Sequence, residues 1–590
     1  MNTLKIVIPL TILLIANSCN KSYLDKRPLG QLDEESIANR RGVQGLLIGA
    51  YSMLDGVSST DGSSSSAGSN WIYGSICGSE AHKGSFAGDV GSIEYIEQFK
   101  STATLPDFAD KWKVVYDGIQ RANAVLRIMR KAKDLNTSDT VEFKAEALFL
   151  RAWYHFEAKK MWNKIPFVDE TVTYEANNYH IKNDTSWAPI ENDLLYAVNT
   201  LPSTQPATGR VNKWAAKAVL AKVYLFEKKF SEALVLLQDI IDNGVTSLGV
   251  KYDLLKNYSD NFNAEKENED NESVFAAQSS VNDGSYGANG NSGDVLNFPT
   301  GSSGECCGFF QPSHYLANHF KTDASTGLPD LDHFNDDNLK NDQGIESSEP
   351  SFTPYDGTLD PRIDWTIGRR GIPYLDWGIH PGKDWTRQQD YYGPYSPKKN
   401  VFYRSQIGRL TDAQSWSNGF TAININLIRF ADILLWAAEA EIEVGDINKA
   451  REYVNRIRRR AADPTGWVHT YIDPVNPSLG FTNTPAANYY IQEYTTSWTD
   501  KEYARKAVRF ERMLELGMEG QRFFDLVRWG IADKEINDYL KKEGESILYL
   551  KNIQFGKGCN EYFPIPQTQI DLSAGADGKR QMTQSMPCYQ

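Results

Sequence analysis

Two stretches of this chain repeat one pattern, and that pattern limits the fold more than any other feature. In residues 212–243 a run from Asn212 to Lys228 is followed by a second from Ser231 to Asn243. In residues 426–461 a run from Asn426 to Val444 is followed, across Gly445-Asp446, by one from Ile447 to Ala461. Apolar residues recur in these runs at three- and four-residue steps, the period of an amphipathic helix. Leu220, Ala221, Tyr224, Ala233 and Leu237 in the first pair set small residues where two helices touch and large ones beside them, and Ala438 and Ala450 take the small positions in the second. Asn212 and Ser231 suit the N-cap position, and Gly244 suits the stop. A helix pair of this kind buries its apolar face only by stacking on another helix, so the chain is expected to be mainly α.

The spacing is tetratricopeptide-like, but residues 244–425 separate the two best pairs, so the expectation is a helical scaffold with an insertion and not a regular solenoid. Further helices are expected at Ser36–Leu54, Lys111–Lys133, Thr140–Trp162, Ser186–Asn199, Asp500–Met518 and Gln521–Trp529. Residues 55–70 read as a Gly/Ser-rich loop. Residues 245–420 are rich in Gly, Asn, Asp, Pro and aromatics, with Glu272 to Gln278 as a strand or short buried segment. A second loop region spans 463–497. The expected organisation is one domain, 36–590, with helical scaffold at 36–244 and 421–590, a loop-rich insertion at 245–420 and minor β structure.

The start of the chain reads as an address. Lys5 precedes the apolar run Ile6 to Ala16, too short to span a bilayer comfortably and suited to a signal peptide over residues 1–18. Cys19 follows the small residue Ser18, as the lipidated cysteine of a bacterial lipobox does, and residues 19–35 read as a tether. Five cysteines remain: Cys77, Cys306, Cys307, Cys559 and Cys588. Export permits disulfides, an odd count leaves one free or paired between chains, and adjacency strains a bond between Cys306 and Cys307. With 62 basic against 76 acidic residues the formal charge is −14, which argues against nucleic acid as the main partner.

Enzymatic motifs are missing from the sequence. It holds no HExxH, GxSxG, GxxxxGK[ST] or GxGxxG and no CxxC pair, so no catalytic or metal-ligating residue is assigned. Glu511, Glu515 and Glu519 lie four apart on one helix face and read as structural ion-pair partners of Arg505, Arg509, Arg512 and Arg522. Arg429, Asp432 and Glu439 read as inter-helix fasteners. A carboxylate pair for glycoside hydrolysis leaves no sequence signature, so a surface glycosidase stays open as an alternative. Asp and Asn concentrate in 260–272 and 330–342; both read as solvated loops, with a stabilising calcium as the secondary reading.

Several motifs run in order along nearly the whole chain. Tyr23-Leu24-Asp25-Lys26-Arg27-Pro28 opens it. Ala122-Asn123 follow in GIQRANAVL, then Arg151-Ala152-Trp153-Tyr154-His155-Phe156 with Trp162 and Ile165-Pro166. Asp360-Pro361-Arg362 stands in the central region, and Leu427 to Asp432 precedes Ala438-Glu439-Ala440. Glu511-Arg512, Glu519 to Gly530 and Pro564-Ile565-Pro566-Gln567 close the series. Together they resemble the SusD/RagB family of outer-membrane lipoproteins of the Bacteroidota, with Asn163 standing where Gly is usual. The resemblance implies tetratricopeptide-like helix pairs decorated by long loops. It also implies a non-enzymatic, cell-surface subunit that binds an oligo- or polysaccharide and acts as a lid on a SusC-like TonB-dependent transporter.

Loop aromatics are the expected ligand contacts, because sugar C–H faces stack on flat rings while hydroxyls seek polar side chains. Three clusters stand out: Trp71, Tyr73, His82 and Phe86; Tyr286, Phe309, Phe310 and Tyr315; and Tyr374, Trp377, Trp385, Tyr391, Tyr392 and Tyr395, accompanied by Asp376, His380, Lys383, Asp384 and Arg387. The candidates taken from them are Trp71, Tyr73, Trp377, Trp385, Tyr391 and Tyr392. The expected function is glycan capture at the outer membrane through a lipid anchor on Cys19, with a lid for a non-glycan nutrient such as peptide as a further alternative.

Overall fold

The computed structural model describes residues 34–57, 63–172, 182–266, 271–301 and 307–589. The signal peptide, Cys19 and nearly all of the tether lie outside the described residues. Eleven of the longer helices carry the argument: α1 (Arg40–Tyr51), α2 (Pro106–Met129), α3 (Thr137–Trp162), α4 (Ala188–Thr200), α5 (Lys213–Phe226), α6 (Phe230–Asn243), α7 (Phe430–Val444), α8 (Ile447–Ala461), α9 (Lys501–Leu516), α10 (Arg522–Trp529) and α11 (Ala532–Glu543). Each of α1 to α6 packs on the next, α6 packs directly on α7, and α7, α8 and α9 pack on one another. The stack is therefore continuous in space although the insertion interrupts it in sequence.

Helix starts follow their caps. The Asn212 side chain accepts from Trp214 N and Ala215 N, Asp446 accepts from Asn448 N, and Gly244 ends α6 as expected. Ser231 is not a cap: α6 begins at Phe230 after Lys229, whose ammonium pairs with Glu191 and Glu227. The run Asn426 to Val444 is not all helix either. Ile425–Arg429 is a strand, β4, antiparallel to β2 (Ser273–Ala277), and the helix begins only at Phe430. An apolar run of this kind does not distinguish a buried strand from a helix by periodicity, and the partner strand decides. Two further antiparallel pairs join β1 (Ala81–Gly84) to β3 (Phe309–Pro312) and β5 (His469–Tyr471) to β6 (Phe481–Pro485).

The Ser-rich stretch is more than a loop. Ser63–Ser66 forms a buried turn of helix, and Ser65 Oγ donates to Asp107 Oδ1 at 3.0 Å. One large apolar core runs through the helices, and a second, small one lies in the insertion, built from Ala264, Phe298, Tyr374, Leu375, Trp385, Val401, Phe402 and Ile423.

Buried charges clamp insertion to scaffold. Arg429, fully buried, donates to Glu272 at 2.8 Å, Glu515 at 2.6 Å and Glu519 at 2.9 Å. Arg362 of the Asp-Pro-Arg motif reaches Asp360, Glu511 and Glu515 at 2.7–3.0 Å, and Lys399 reaches Glu519 at 2.8 Å. The expected ion pairing is present, but its partners differ. Glu511, Glu515 and Glu519 face inward toward arginines of other elements, while Arg505 goes to Glu443 and Arg512 to Asp525. Arg528 and Glu439 make the inter-helix fastener, at 2.6 and 2.8 Å.

The C-terminal segment closes the N-terminal helices. Phe563 N donates to Met161 O, Trp162 Nε1 to Pro564 O, and Asn183 Nδ2 to Thr583 O. The Phe563 ring lies 5.2 Å from Tyr73 and 5.6 Å from Phe108. A Cys559–Cys588 disulfide brackets this segment, Cys307 is also disulfide-bonded, and Cys77 is a buried free thiol.

Candidate functional site

Four of the six aromatic candidates are interior. Trp71 and Tyr73 are 1% exposed: Trp71 packs on Phe310 and donates from Nε1 to Gly293 O, and the Tyr73 hydroxyl donates to Asp107 O. Their turn is jammed against the 518–523 segment, since a Cβ on Gly74 would fall 1.8 Å from Gly520 O. Trp385 is the centre of the small core, edge-on to Tyr374 and His380. Tyr392 is fully buried under Lys83. None of the four offers a ring face to a ligand: Trp71 and Tyr73 join the large core, whereas Trp385 belongs to a core that the aromatic-rich insertion builds for itself. Trp377 and Tyr391 are only partly buried. Trp377 leans on Phe402 and donates to Phe402 O at 3.0 Å, whereas Tyr391 stacks on Tyr549 at 4.7 Å.

The structure instead joins the first cluster to the third at one turn. Lys83 is buried, and its ammonium donates to the carbonyls of Gly84, Phe86 and Asp89 at 3.1, 3.0 and 2.7 Å, while lying over the rings of Tyr392 and Phe309. Burial lowers its pKa. Three carbonyls on one cation fix the 84–89 turn. Ser85 takes a left-handed φ of 60°, and its hydroxyl donates to Asp89 Oδ2 at 2.6 Å. Phe86 then projects outward, 48% exposed.

Arg387 arches over this ring at 5.5 Å and donates from Nη1 to Ser85 Oγ at 3.1 Å and Asp89 Oδ2 at 3.3 Å. Gln388 Oε1 accepts from Ala87 N at 2.8 Å. Tyr391 OH and Tyr392 OH both donate to Glu94, at 3.2 and 2.7 Å. Burial and the Glu94 charge push the Tyr391 hydroxyl up to about 12, so it stays a neutral donor at ordinary pH. Two partly open rings, a guanidinium, an amide and carboxylates thus converge on a fixed turn, the combination that can stack on a sugar face and orient its hydroxyls.

A buried relay ties the turn to the scaffold. His82 is held between Glu97 and Glu543, each at 2.9 Å, and Tyr549, which carries Tyr391, donates to Glu97 at 2.6 Å. Burial opposes the charged imidazolium, but the bonds to Glu543 and Glu97 win and raise the His82 pKa to about 9. Glu543, opposed by burial, is held well below the usual carboxylate range by His314 and His82.

The acidic stretch 330–342 is held by its own turn and by neighbouring elements: Asp330 Oδ1 accepts from Asp332 N and His333 N, Asn318 donates to Asn335 and Asn338, and Asp332 pairs with Lys506. Among the described residues no three His, Cys, Asp or Glu side chains are gathered to hold a metal ion, so the secondary calcium reading gains no site there.

The six candidates leave out two surface rings, Tyr286 of the second cluster and Trp416, which belongs to none, 70% and 58% exposed. They share a local pattern with Phe86. Phe86, Tyr286 and Trp416 each follow a serine and precede a small residue, in Ser85-Phe86-Ala87, Ser285-Tyr286-Gly287 and Ser415-Trp416-Ser417. A ring whose neighbours are all small has no local partners to bury it.

Comparison with known proteins gives the lineage. The SusD family model matches residues 271–589, and a model described as starch-binding associating with outer membrane matches residues 23–225. The chain is 26% identical over 442 residues to SusD-like protein P25 of Formosa agariphila, covering 73% of this chain and 72% of that one. A SusD superfamily protein from Bacteroides vulgatus superposes with a TM-score of 0.65 at 20% identity, over 93% of this chain and 98% of that one. A laminarin binding SusD-like protein gives 0.63 at 21%, over 93% and 100%. Surface glycan-binding protein A from Bacteroides thetaiotaomicron, in complex with laminarihexaose, gives 0.59 at 18%, over 92% and 99%. These likenesses establish the helical fold, and the extent of the family match settles the rest: the chain belongs to the SusD family.

Proposed function

We propose that this protein is an outer-membrane glycan-binding lipoprotein, anchored through Cys19 and facing outward, which captures an oligo- or polysaccharide and passes it to a SusC-like TonB-dependent transporter. Family membership supports a binding role, and the description of the N-terminal family model supports association with the outer membrane. The names of two structural neighbours, one binding laminarin and one complexed with laminarihexaose, support a glycan as ligand. The observation that carries the reading is the Phe86 ring, half exposed on a turn locked by Lys83 and flanked by Arg387. Such a ring stabilises nothing in the core, and its rigid mounting suits stacking without reorganisation on binding.

The test is affinity electrophoresis of the full-length protein in mild detergent through gels containing laminarin, soluble starch or alginate, with reducing-sugar release read from the same samples. Retardation by a polysaccharide without new reducing ends is the expected result. Phe86→Ala and Arg387→Ala should each weaken it about tenfold, the size of one lost stacking or charge-assisted contact. New reducing ends would replace the reading with a hydrolase, and no retardation in any gel would remove the glycan.

A further inference from the structure

The loop-rich insertion mounts a second pair of rings that the Phe86 turn does not use. Tyr286 and Trp416 are among the most exposed aromatic side chains, and the loops that carry them touch: Ser415 Oγ donates to Tyr286 O at 2.8 Å, and a Cβ on Gly287 would meet Ser415 Oγ at 2.3 Å and Phe420 at 2.9 Å. Trp416 and Phe420 are perpendicular, with ring centroids 5.8 Å apart, so they do not stack face to face, and Trp416 stays 58% exposed.

Both loops are locked from beneath. Asn282 Nδ2 donates to the carbonyls of Gly408, Arg409 and Thr411, and its Oδ1 accepts from Ala413 N. Asp412 accepts from Asn282 N, Gln414 N and Ser415 N, and Asp283 accepts from Ser285 N and Asn289 Nδ2. Tyr286 itself sits at φ 56°. A bulky residue there is strained, and such strain persists only where the surroundings impose it. A tyrosine held in strain, with its ring in water, gains nothing for stability.

Chemistry narrows the ligand. The charged residues of the 280–290 and 408–420 loops are Asp283, Arg409 and Asp412. Both aspartates are occupied by the bonds just named, and Arg409 is paired with Glu265. The other polar residues of these two loops, among them Ser285, Asn289, Gln414 and Asn418, are uncharged. We infer that Tyr286 and Trp416 form a second sugar-stacking platform, selective for neutral hexose chains and separate from the Phe86 turn. This inference rests on the glycan-binding reading and deepens it. A polysaccharide that rests on both platforms is held at the second by a high effective concentration, so the pair grips long chains more tightly than short ones.

The experiment uses the full-length protein, laminarin as the long neutral chain, laminarihexaose as the short one, with soluble starch and maltohexaose as a parallel pair. Wild type, Tyr286→Ala/Trp416→Ala and Phe86→Ala/Arg387→Ala are compared by affinity electrophoresis and calorimetry, with melting temperature as the control for folding. The expected result is a loss of about tenfold or more for the polymer in the Tyr286/Trp416 variant, with hexasaccharide affinity nearly unchanged and no fall in melting temperature. A Trp416→Phe variant, which keeps a ring, should recover most of the polymer affinity. Retention by wild type, loss in the Phe86/Arg387 variant and full affinity in the Tyr286/Trp416 variant would overturn the second platform alone. Retardation of wild type by neither neutral polymer would overturn the glycan reading, and this inference with it.

Discussion

The helical scaffold and the loop-rich insertion hold themselves together by different means. In the scaffold, helices that cap themselves locally are locked by contacts far apart in sequence, such as Arg429 with Glu515 and Trp162 with Pro564. In the insertion, such long-range bonds are joined by side chains that fasten the backbone a few residues away: Asp323 accepts from Ser325 N and Thr326 N, and Asp412 from Gln414 N and Ser415 N. Nonlocal fastening gives cooperative stability, whereas local fastening gives separately rigid loops on that frame. The difference explains how ligand contacts can diverge without loss of the fold.

That contrast can be broken by substitution. The largest effect is expected from Arg429→Ala, which leaves Glu272, Glu515 and Glu519 facing one another without their shared cation. Removing one partner of a buried charge cluster costs about 3–5 kcal/mol, so urea denaturation should show a global loss of that order. Trp385→Ala should be nearly as costly, about 3–5 kcal/mol, but its damage should be confined to the insertion. Hydrogen exchange should then speed up around Phe298, Tyr374 and Phe402 while α5 to α8 keep their protection. Equal loss in the helices would abolish the distinction drawn here.

The His82 relay gives a smaller, pH-dependent effect. A histidine whose folded pKa is raised from 6.5 to about 9 contributes stability that is fully present below 6.5 and lost as pH rises through 9. The melting-temperature difference between wild type and His82→Gln should therefore shrink between pH 6.5 and 9, by roughly 1–3 kcal/mol in stability terms. The buried lysines titrate alike in both proteins and cancel in the difference. The smallest effect is expected from Phe86→Ala, within about 0.5 kcal/mol of wild type in stability, since the exposed ring supports no core.

The same contrast decides what the sequence reveals. The helices are legible because their period, caps and stops are local signals: Asn212, Gly244 and Asp446 stand where caps should. The strand Ile425–Arg429 is not, because its identity depends on a partner at Ser273–Ala277. The ion-pair clusters are half legible. Their carboxylates were visible as a stripe, but their partners lie in other elements. Least legible was the candidate site. An abundance of loop aromatics pointed to ligand contacts, but in 371–402 that abundance marks a core. Phe86, Tyr286 and Trp416 share a local pattern, a single ring among small residues, but Trp498 between Ser497 and Thr499 has it too and is buried, so packing from elsewhere in the chain decides exposure. Arg387 joins Phe86 only through folding, from some three hundred residues away.

The way residues 563–583 clasp the N-terminal helices also sets an order of events. A ribosome delivers α1 to α4 long before it delivers Phe563, Pro564 and Thr583, which complete their packing. Throughout that interval the rings of Tyr73, Phe108 and Trp162 wait without their covering partners. Assembly of this half cannot finish before residues 563–583 have been made, and its early helices present apolar surface to whatever else is nearby. The chain thus depends for its yield on being kept apart from other copies until its tail arrives.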